Sequence, residues 1–188
     1  LFFGNQRGGD SFYALNLKNF KMVWEKKLKD IYSSPIIHNE IVFIGAGDGS
    51  IRALQLKTGK EIWQFKTQDV IKASAAIDSN SIWLGSLDNY MYCISQNKGE
   101  LLWKFKAQGG IYSTAALDEE NLYFGSADGS LYALDKNEGK KVWSFKTGAP
   151  IYSSPALSES LVFIGSNDHH LYALSRSTGE KVWSFTCQ

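Results

Sequence analysis

The chain has 188 residues, of which 44% are hydrophobic and 14% aromatic, so it can bury a large core and is not disordered. Lys and Arg number 20 against 19 Asp and Glu, a net charge of +1, which gives no electrostatic case for nucleic acid or an anionic membrane as partner. No run approaches the roughly 18 apolar residues of a membrane-spanning helix, so we expect no membrane span. The two cysteines, Cys93 and Cys187, form no disulfide framework and leave the redox compartment open.

One sequence unit recurs along the chain. Its five copies each run from a glycine to a tryptophan, over residues 4–24, 45–63, 85–103, 125–143 and 165–183. The last four copies begin 40 residues apart, and the first is looser, with two extra residues. A fixed period of this length is the signature of a repeat architecture.

Taken in chain order, the sequence reads as short β-strands. Residues 1–28 contain three strand-like runs, LFFG, SFYALNL and MVWEKKL. Each later unit contains four such runs, and the third reads IYSTAAL, LYFGS, SLYALD and KKVWSFK. The runs are rich in aromatic and branched residues and are bounded by turn residues, which is typical of hairpin-connected strands. No window of about 11 residues shows helical periodicity.

We therefore predict an all-β fold, a β-propeller of four-stranded antiparallel blades. Four complete blades are expected over residues 29–68, 69–108, 109–148 and 149–188, after a partial N-terminal blade over 1–28. We expect this single propeller domain, 1–188, to be part of a larger propeller. The alternative is a small closed ring of five blades, one of them incomplete.

The turns predict how neighbouring blades pack. Dipeptides such as Asp128-Gly129 suit a tight hairpin that needs positive φ. A second turn glycine, such as Gly139, stands four residues before each repeat tryptophan except the first; these tryptophans are Trp63, Trp103, Trp143 and Trp183. We expect each tryptophan to lie against such a turn in an adjacent blade, because only glycine leaves room. The first copy has Phe20 at this position, so we expect its turn to differ.

The segment that opens each unit is rich in small residues and reads IYSSPII, VIKASAA, IYSTAAL and IYSSPAL. We expect it to form the innermost strand, where blades converge on a channel, with serine hydroxyls such as those of Ser33 and Ser34 facing channel water. Pro35 and Pro155 lack an amide hydrogen, which suits an edge strand.

The pattern G-x-x-D-G-x-L-Y-A-L-x-x-x-x-G-x-x-x-W-x-F is complete at residues 125–145. It resembles the repeat of the PQQ-like (quinoprotein-type) β-propeller family, over essentially the whole chain. The resemblance implies a circular propeller whose blades are joined by tryptophan-docking contacts. The tryptophans concerned are Trp24, Trp63, Trp103, Trp143 and Trp183.

The enzymes of that family are quinone-dependent dehydrogenases with bound calcium, and they resemble one another in adjacent cysteines over the quinone and in acidic groups that hold the calcium. This chain has no Cys-Cys pair, and its periodic aspartates (Asp48, Asp88, Asp128 and Asp168) are explained by the turns. Other members are scaffolds: bacterial outer-membrane assembly lipoproteins, lumenal sensor domains, and accessory domains of kinases and adenylating enzymes. The resemblance favours this non-enzymatic branch and an extracytoplasmic location, periplasmic or in the cell envelope.

We predict neither catalytic residues nor a metal site. Of the three histidines, His38, His169 and His170, the last two sit together at a hairpin turn and read as exposed turn residues. A metal site needs more converging ligands than this pair. The Ser-Ser pairs have no base within the repeat.

Residues that break the repeat are the candidate contacts for a ligand or partner. They are Arg52, Lys72 and Trp83, together with Tyr32, Tyr112 and Tyr152, which occupy the position of Lys72 in the other blades. A cation beside tyrosines that ring a channel could hold an anionic or aromatic ligand with help from cation–π attraction. The alternative is sequence drift at tolerant positions.

We predict a non-enzymatic propeller that serves as a protein-interaction scaffold or ligand-sensing module, with a protein or peptide partner and no cofactor. The alternative is a quinone-dependent dehydrogenase, using PQQ and calcium, or an inactive relative of one. A third interpretation is a purely structural spacer.

Overall fold

The computed structural model describes residues 1–4 and 10–187. Within these residues the chain forms nineteen β-strands in five antiparallel sheets, and no helix. Each sheet pairs its strands in the order in which they occur along the chain. The predicted all-β propeller fold, with four complete blades and one partial N-terminal blade, is confirmed.

The partial blade contains β1 (Phe2–Gly4), β2 (Ser11–Leu15) and β3 (Met22–Lys27). Blade 1 contains β4 (Ile36–His38), β5 (Ile41–Gly45), β6 (Ser50–Gln55) and β7 (Glu61–Lys66). Blade 2 contains β8 (Ala76–Ile77), β9 (Ser81–Gly85), β10 (Tyr90–Ser95) and β11 (Leu101–Lys106). Blade 3 contains β12 (Ala116–Leu117), β13 (Asn121–Gly125), β14 (Ser130–Asp135) and β15 (Lys141–Lys146). Blade 4 contains β16 (Ala156–Leu157), β17 (Leu161–Ser166), β18 (His170–Ser175) and β19 (Lys181–Thr186).

The strands keep one register in every blade, as blade 3 illustrates. Tyr123 of β13 lies opposite Ala133 of β14, which lies opposite Trp143 of β15. Because side chains alternate along a strand, this row packs against blade 4, while Phe124 and Tyr132 pack against blade 2. The small residue in the middle strand places the tryptophan at the same point of each blade.

The hydrophobic core lies between the blades. Four clusters of buried side chains form it, each drawn from two successive sheets. Between blades 1 and 2, for example, Phe43 and Ile51 pack with Leu84 and Ile94. The middle strands are covered on both faces, so five of the six residues of β14 are buried. This arrangement explains why these strands read as continuous apolar runs.

The turn before the last strand has one backbone conformation in all five sheets, so the prediction that the first copy differs is wrong. The turn glycines Gly59, Gly99, Gly139 and Gly179 have φ between 69° and 73°, and Phe20 has φ 55°. The Phe20 amide donates to the Asn16 carbonyl at 2.8 Å, as the Gly139 amide donates to the Asp135 carbonyl at 2.9 Å. A residue with a Cβ holds this left-handed conformation at a cost of about 1–2 kcal/mol, which the turn hydrogen bond offsets.

The first strand of each blade is shorter than predicted. In blade 1, β4 begins at Ile36, after the small residues. Ser33 explains the difference, because its hydroxyl donates to the Gly45 carbonyl at 3.0 Å and accepts from the Gly45 amide at 3.2 Å. Ser113 makes the same two bonds with Gly125. Ser33 and Ser113 are buried, so the prediction that the serine hydroxyls face channel water is wrong for these two residues, whereas Ser34 is exposed.

Candidate functional site

Equivalent positions of the four complete blades form a continuous surface row, Tyr32, Lys72, Tyr112 and Tyr152, which we call the tyrosine–lysine row. The Lys72 ammonium lies 5.4 Å from the ring centroid of Tyr32 and 5.5 Å from that of Tyr112. The Tyr112 and Tyr152 rings meet edge to face, with centroids 4.9 Å apart. Tyr32 is 41% exposed and Tyr152 is 45% exposed. Four of the six predicted contact residues therefore lie together at the surface.

The polar groups of the row are not used by the fold. Among residues 1–4 and 10–187, no hydrogen bond involves the three row hydroxyls, and no carboxylate pairs with Lys72. The tyrosines of the middle strands differ, because their hydroxyls donate to the turn aspartates of their own blades. These pairs are Tyr92 with Asp88 at 2.7 Å, Tyr132 with Asp128 at 2.8 Å, and Tyr172 with Asp168 at 2.8 Å.

Hydrogen bonds between blades fix the spacing of the row. The Ser34 amide donates to the Ser74 hydroxyl at 2.8 Å, and the Thr114 amide donates to the Ser154 hydroxyl at 3.0 Å. Each bonded residue lies two positions after a member of the row. The segments that carry Tyr32 and Lys72 are therefore coupled, as are those that carry Tyr112 and Tyr152.

Arg52 does not join the row but belongs to an ion-pair network. Its guanidinium lies 2.6 Å from the Asp48 carboxylate and 3.5 Å from Glu61, and only 11% of its side chain is exposed. Lys26 of the partial blade lies 3.2 Å from the same Glu61, so the network crosses between two sheets. Partial burial alone would raise the pKa of Asp48, but hydrogen bonds from Arg52 and Ser50 outweigh it and lower that pKa. Arg52 thus replaces the tyrosine that bonds the turn aspartate in blades 2 to 4.

Trp83 is also absent from the row, because it is fully buried in the junction between blades 2 and 3. Its indole Nε1 donates to the Lys136 carbonyl at 3.2 Å, and Trp103 donates to the same carbonyl at 3.1 Å. A carbonyl oxygen has two lone pairs and can accept both. Trp83 therefore adds a second indole hydrogen bond across this junction.

Four of the five repeat tryptophans lie against the blade that follows them. Trp24, Trp63, Trp103 and Trp143 donate from Nε1 to the carbonyls of Leu56, Gln96, Lys136 and Arg176 at 2.9–3.1 Å. Their rings cover the turn glycines, since a Cβ added to Gly59, Gly99, Gly139 or Gly179 would lie 2.5–2.7 Å from an indole atom. Trp183 has the equivalent position in blade 4 and is 41% exposed.

The turn aspartates of blades 2 to 4 also connect successive blades. In blade 3, Asp128 Oδ1 accepts the Ser130 amide at 2.7 Å. Its Oδ2 accepts the Tyr132 hydroxyl at 2.8 Å and, at 2.9 Å, the Gln108 amide from the segment between β11 and β12. Burial alone would raise the pKa of Asp128, but these hydrogen bonds leave it below its ordinary value. Blades 2 and 4 repeat the same three bonds.

A cleft of about 950 Å³ lies between blades 3 and 4, at the strand ends away from the turn aspartates, and was not predicted from the sequence. Asp118 lines it and lies 3.1 Å from Arg176 Nε, while accepting the Tyr123 hydroxyl at 2.8 Å. At the preceding junction, Asp78 and Lys136 form the equivalent pair at 3.8 Å. The available sequence signal was the recurrence of an acid and a base at positions 78 and 136, and again at 118 and 176.

The described parts of the chain contain no group of three His, Cys, Asp or Glu side chains that could hold a metal ion. His169 is an exposed turn residue with φ 67°, and the neighbouring His170 is partly buried. The same parts contain no helix long and apolar enough to cross a membrane.

The fold and its junctions define a β-propeller protein. Over residues 9–188 the sequence matches the family described as "Beta-alanine-activating enzyme, beta-propeller", and the chain belongs to this β-propeller family. No curated protein matches the sequence.

Solved propeller structures superimpose on most of the chain. BamB from Moraxella catarrhalis has a TM-score of 0.83 and 22% identity, over 94% of this chain and 58% of that one. The computationally designed Ika8 protein has a TM-score of 0.83 and 18% identity, over 95% of this chain and 57% of that one. A europium-containing methanol dehydrogenase has a TM-score of 0.83 and 16% identity, over 94% of this chain and 47% of that one. The chain therefore spans about half the length of these proteins, and the resemblance to PQQ-like propellers is confirmed at the level of fold.

Proposed function

We propose that this chain is a non-catalytic propeller module that binds a protein partner through the tyrosine–lysine row. The exposed row, whose polar groups the fold leaves unused, is the observation that carries the proposal. The family description supports a propeller that accompanies a β-alanine-activating enzyme, with the activating chemistry outside this region. The BamB likeness supports the use of such a fold outside the dehydrogenases.

The chemistry of the row favours an acidic peptide segment as partner. An ammonium group donates hydrogen bonds but cannot accept them, and phenol hydroxyls readily donate to carboxylates. Lys72 has aromatic rings on both sides and no ion-pair partner among the described residues, so its charge is available to a ligand. The tyrosine rings add apolar contact area, which suits protein interfaces. With a net charge of +1, the chain as a whole does not attract polyanions.

The residues of this chain do not fit the quinone and calcium site of the family's enzymes. The turn aspartates of blades 2 to 4 use both carboxylate oxygens in hydrogen bonds, as Asp128 does. The sequence has no adjacent cysteines, and Cys93 is buried in the core between blades 2 and 3. We therefore propose that the module works without a cofactor.

Binding of a labelled peptide tests the proposal directly. Fluorescence anisotropy compares a fluorescein-labelled peptide of alternating Glu and Gly with a matched Gln and Gly peptide. We expect the Glu peptide to bind more tightly by up to about fivefold, because an exposed charged contact contributes up to about 1 kcal/mol, or a factor of about five. Equal binding of the two peptides would contradict the proposed partner class.

Two lysine variants locate the site. Lys72→Tyr restores the residue of the other blades and is expected to remove the preference for the Glu peptide. Lys104→Tyr is the matched control, because Lys104 also lies over a tyrosine ring, that of Tyr90 at 4.6 Å, but on the outer strand β11. Equal losses in both variants would mean that the row is not the site. A chromophore retained after incubation with PQQ and calcium would support the dehydrogenase alternative instead.

A further inference from the structure

We infer, on the basis of the proposed function, that the partner segment carries an acidic residue and an aromatic residue two positions away from it. The acid contacts Lys72, and the aromatic ring contacts the pair formed by Tyr112 and Tyr152. The tyrosine–lysine row thus selects the spacing of two different side chains as well as a charge.

Lys72 supplies the one positive charge of the row, and its position is fixed. Its ammonium lies between the rings of Tyr32 and Tyr112, at 5.4 Å and 5.5 Å from their centroids, and the side chain is exposed. The equivalent position is tyrosine in the three other complete blades. A carboxylate elsewhere along the row would meet a neutral phenol, so the acid of the partner belongs at blade 2.

The other end of the row is a pair of aromatic rings. Tyr112 and Tyr152 meet edge to face, with centroids 4.9 Å apart and 80° between the ring planes. Tyr152 is exposed and Tyr112 is partly exposed. A third ring can pack on such a pair in the offset or edge-to-face arrangements that aromatic rings prefer. Within the row, Tyr32 at the opposite end neighbours the Lys72 ammonium rather than a second ring.

The distances set the spacing of the motif. The Tyr112 centroid lies 5.5 Å from the Lys72 ammonium and 4.9 Å from the Tyr152 centroid. The centre of the ring pair is therefore within about 8 Å of the charge, a distance that two residues of an extended peptide, at about 3.3 Å each, nearly span. Successive side chains of an extended peptide point to opposite sides, so side chains two positions apart face the row together and adjacent ones do not.

Two fluorescein-labelled peptides of identical composition test the spacing by fluorescence anisotropy. The spaced peptide is Gly-Phe-Gly-Glu-Gly-Phe-Gly, and the adjacent isomer, Gly-Gly-Phe-Glu-Phe-Gly-Gly, places both rings next to the acid. Both sequences read the same in either direction, so the comparison does not depend on the direction in which the peptide binds. We expect the spaced peptide to bind about two- to tenfold more tightly, the factor that corresponds to one aromatic pair.

Variants of two tyrosines locate the aromatic contact. Tyr152→Ala should abolish the difference between the two isomers, and Tyr152→Phe, which keeps the ring, should retain it. Tyr32→Ala is the matched control and should also retain the difference, because Tyr32 has the equivalent position in blade 1 and a similar exposure, 41% against 45%. An unchanged difference in Tyr152→Ala, or an equal loss in both alanine variants, would overturn the assigned contact.

A third peptide, with Gln in place of Glu in the spaced sequence, distinguishes failure of the motif from failure of the proposed function. Equal binding of the Glu and Gln peptides would contradict the acidic partner, and the motif with it. A preference for Glu together with equal binding of the two isomers would leave the proposed function standing and overturn the motif alone.

Discussion

Trp103 lies so close to Gly139 that a Cβ on the glycine would stand 2.5 Å from Cε3 of the indole. Gly139 also has φ 69°, in the left-handed region. The contact and the turn thus require glycine for two separate reasons. Phe20 has the same left-handed backbone conformation, but its side chain is 77% exposed. Comparing positions 139 and 20 therefore separates the cost of the indole contact from the cost of the backbone conformation.

We expect Gly139→Ala to lower the free energy of unfolding by about 2–5 kcal/mol, from about 1–2 kcal/mol of backbone strain and about 1–3 kcal/mol of overpacking. Phe20→Ala is the control, since it keeps the strain and removes only exposed atoms, and it should change stability by less than about 0.5 kcal/mol. Urea unfolding measures both. A loss of only about 1–2 kcal/mol in Gly139→Ala, which is the backbone strain alone, would show that the indole contact does not limit the turn.

Removing the repeat tryptophan should lower the free energy of unfolding more in blade 3 than in blade 4, because Trp143 is buried and Trp183 is partly exposed. Trp143→Ala removes a buried ring and its hydrogen bond to the Arg176 carbonyl, and should cost about 3–5 kcal/mol. Trp183→Ala removes a partly exposed ring with no equivalent bond among the described residues, and should cost about 1 kcal/mol. Thermal unfolding of both variants checks the difference. A larger loss for Trp183→Ala would mean that its face is already covered in solution.

The ion pair at Arg52 predicts a pH dependence. The folded-state pKa of Asp48 is lowered, so its contribution to stability is present above the unfolded pKa, about 4, and is lost as pH falls through the folded pKa. Arg52→Met removes part of that lowering, so the variant should lose less stability between pH 6 and about pH 3 than the parent chain.

Urea midpoints across this pH range measure the effect. Lys57→Met is the control, because the Lys57 and Glu40 pair at 2.8 Å is exposed and should contribute little. An unchanged pH profile in Arg52→Met would show that Asp48 owes its lowered pKa to the Ser50 hydrogen bonds alone.

The two cysteines should differ in reactivity. Burial raises the pKa of Cys93 to about 12, so at pH 8 only about one thiol in ten thousand is ionised. Cys187 is exposed. We expect one thiol per chain to react with a disulfide reagent in the native protein and two after unfolding in urea. Rapid reaction of both native thiols would mean that the junction between blades 2 and 3 opens readily.

The period of 40 residues was sufficient to predict the blades and the alignment of Tyr32, Lys72, Tyr112 and Tyr152, because equivalent positions of stacked blades lie side by side. It could not predict the partner of a residue that breaks the repeat. Arg52 shares Glu61 with Lys26 of another sheet, and Trp83 reaches a carbonyl 53 residues away. Such contacts depend on how one blade is placed on the next. The turn at Phe20 was mispredicted because its backbone hydrogen bond outweighs residue preference.

The bond between Asp128 and the Gln108 amide spans only 20 residues, and that between Trp103 and Lys136 only 33. Every junction is therefore made by neighbours in the sequence, and each blade can be added as soon as it is synthesised. Damage at one junction should remain local, since each core cluster of the described residues is drawn from two successive sheets. Amide hydrogen exchange should accordingly be slowest in blades 2 and 3 and fastest in the sheets at either end of the array.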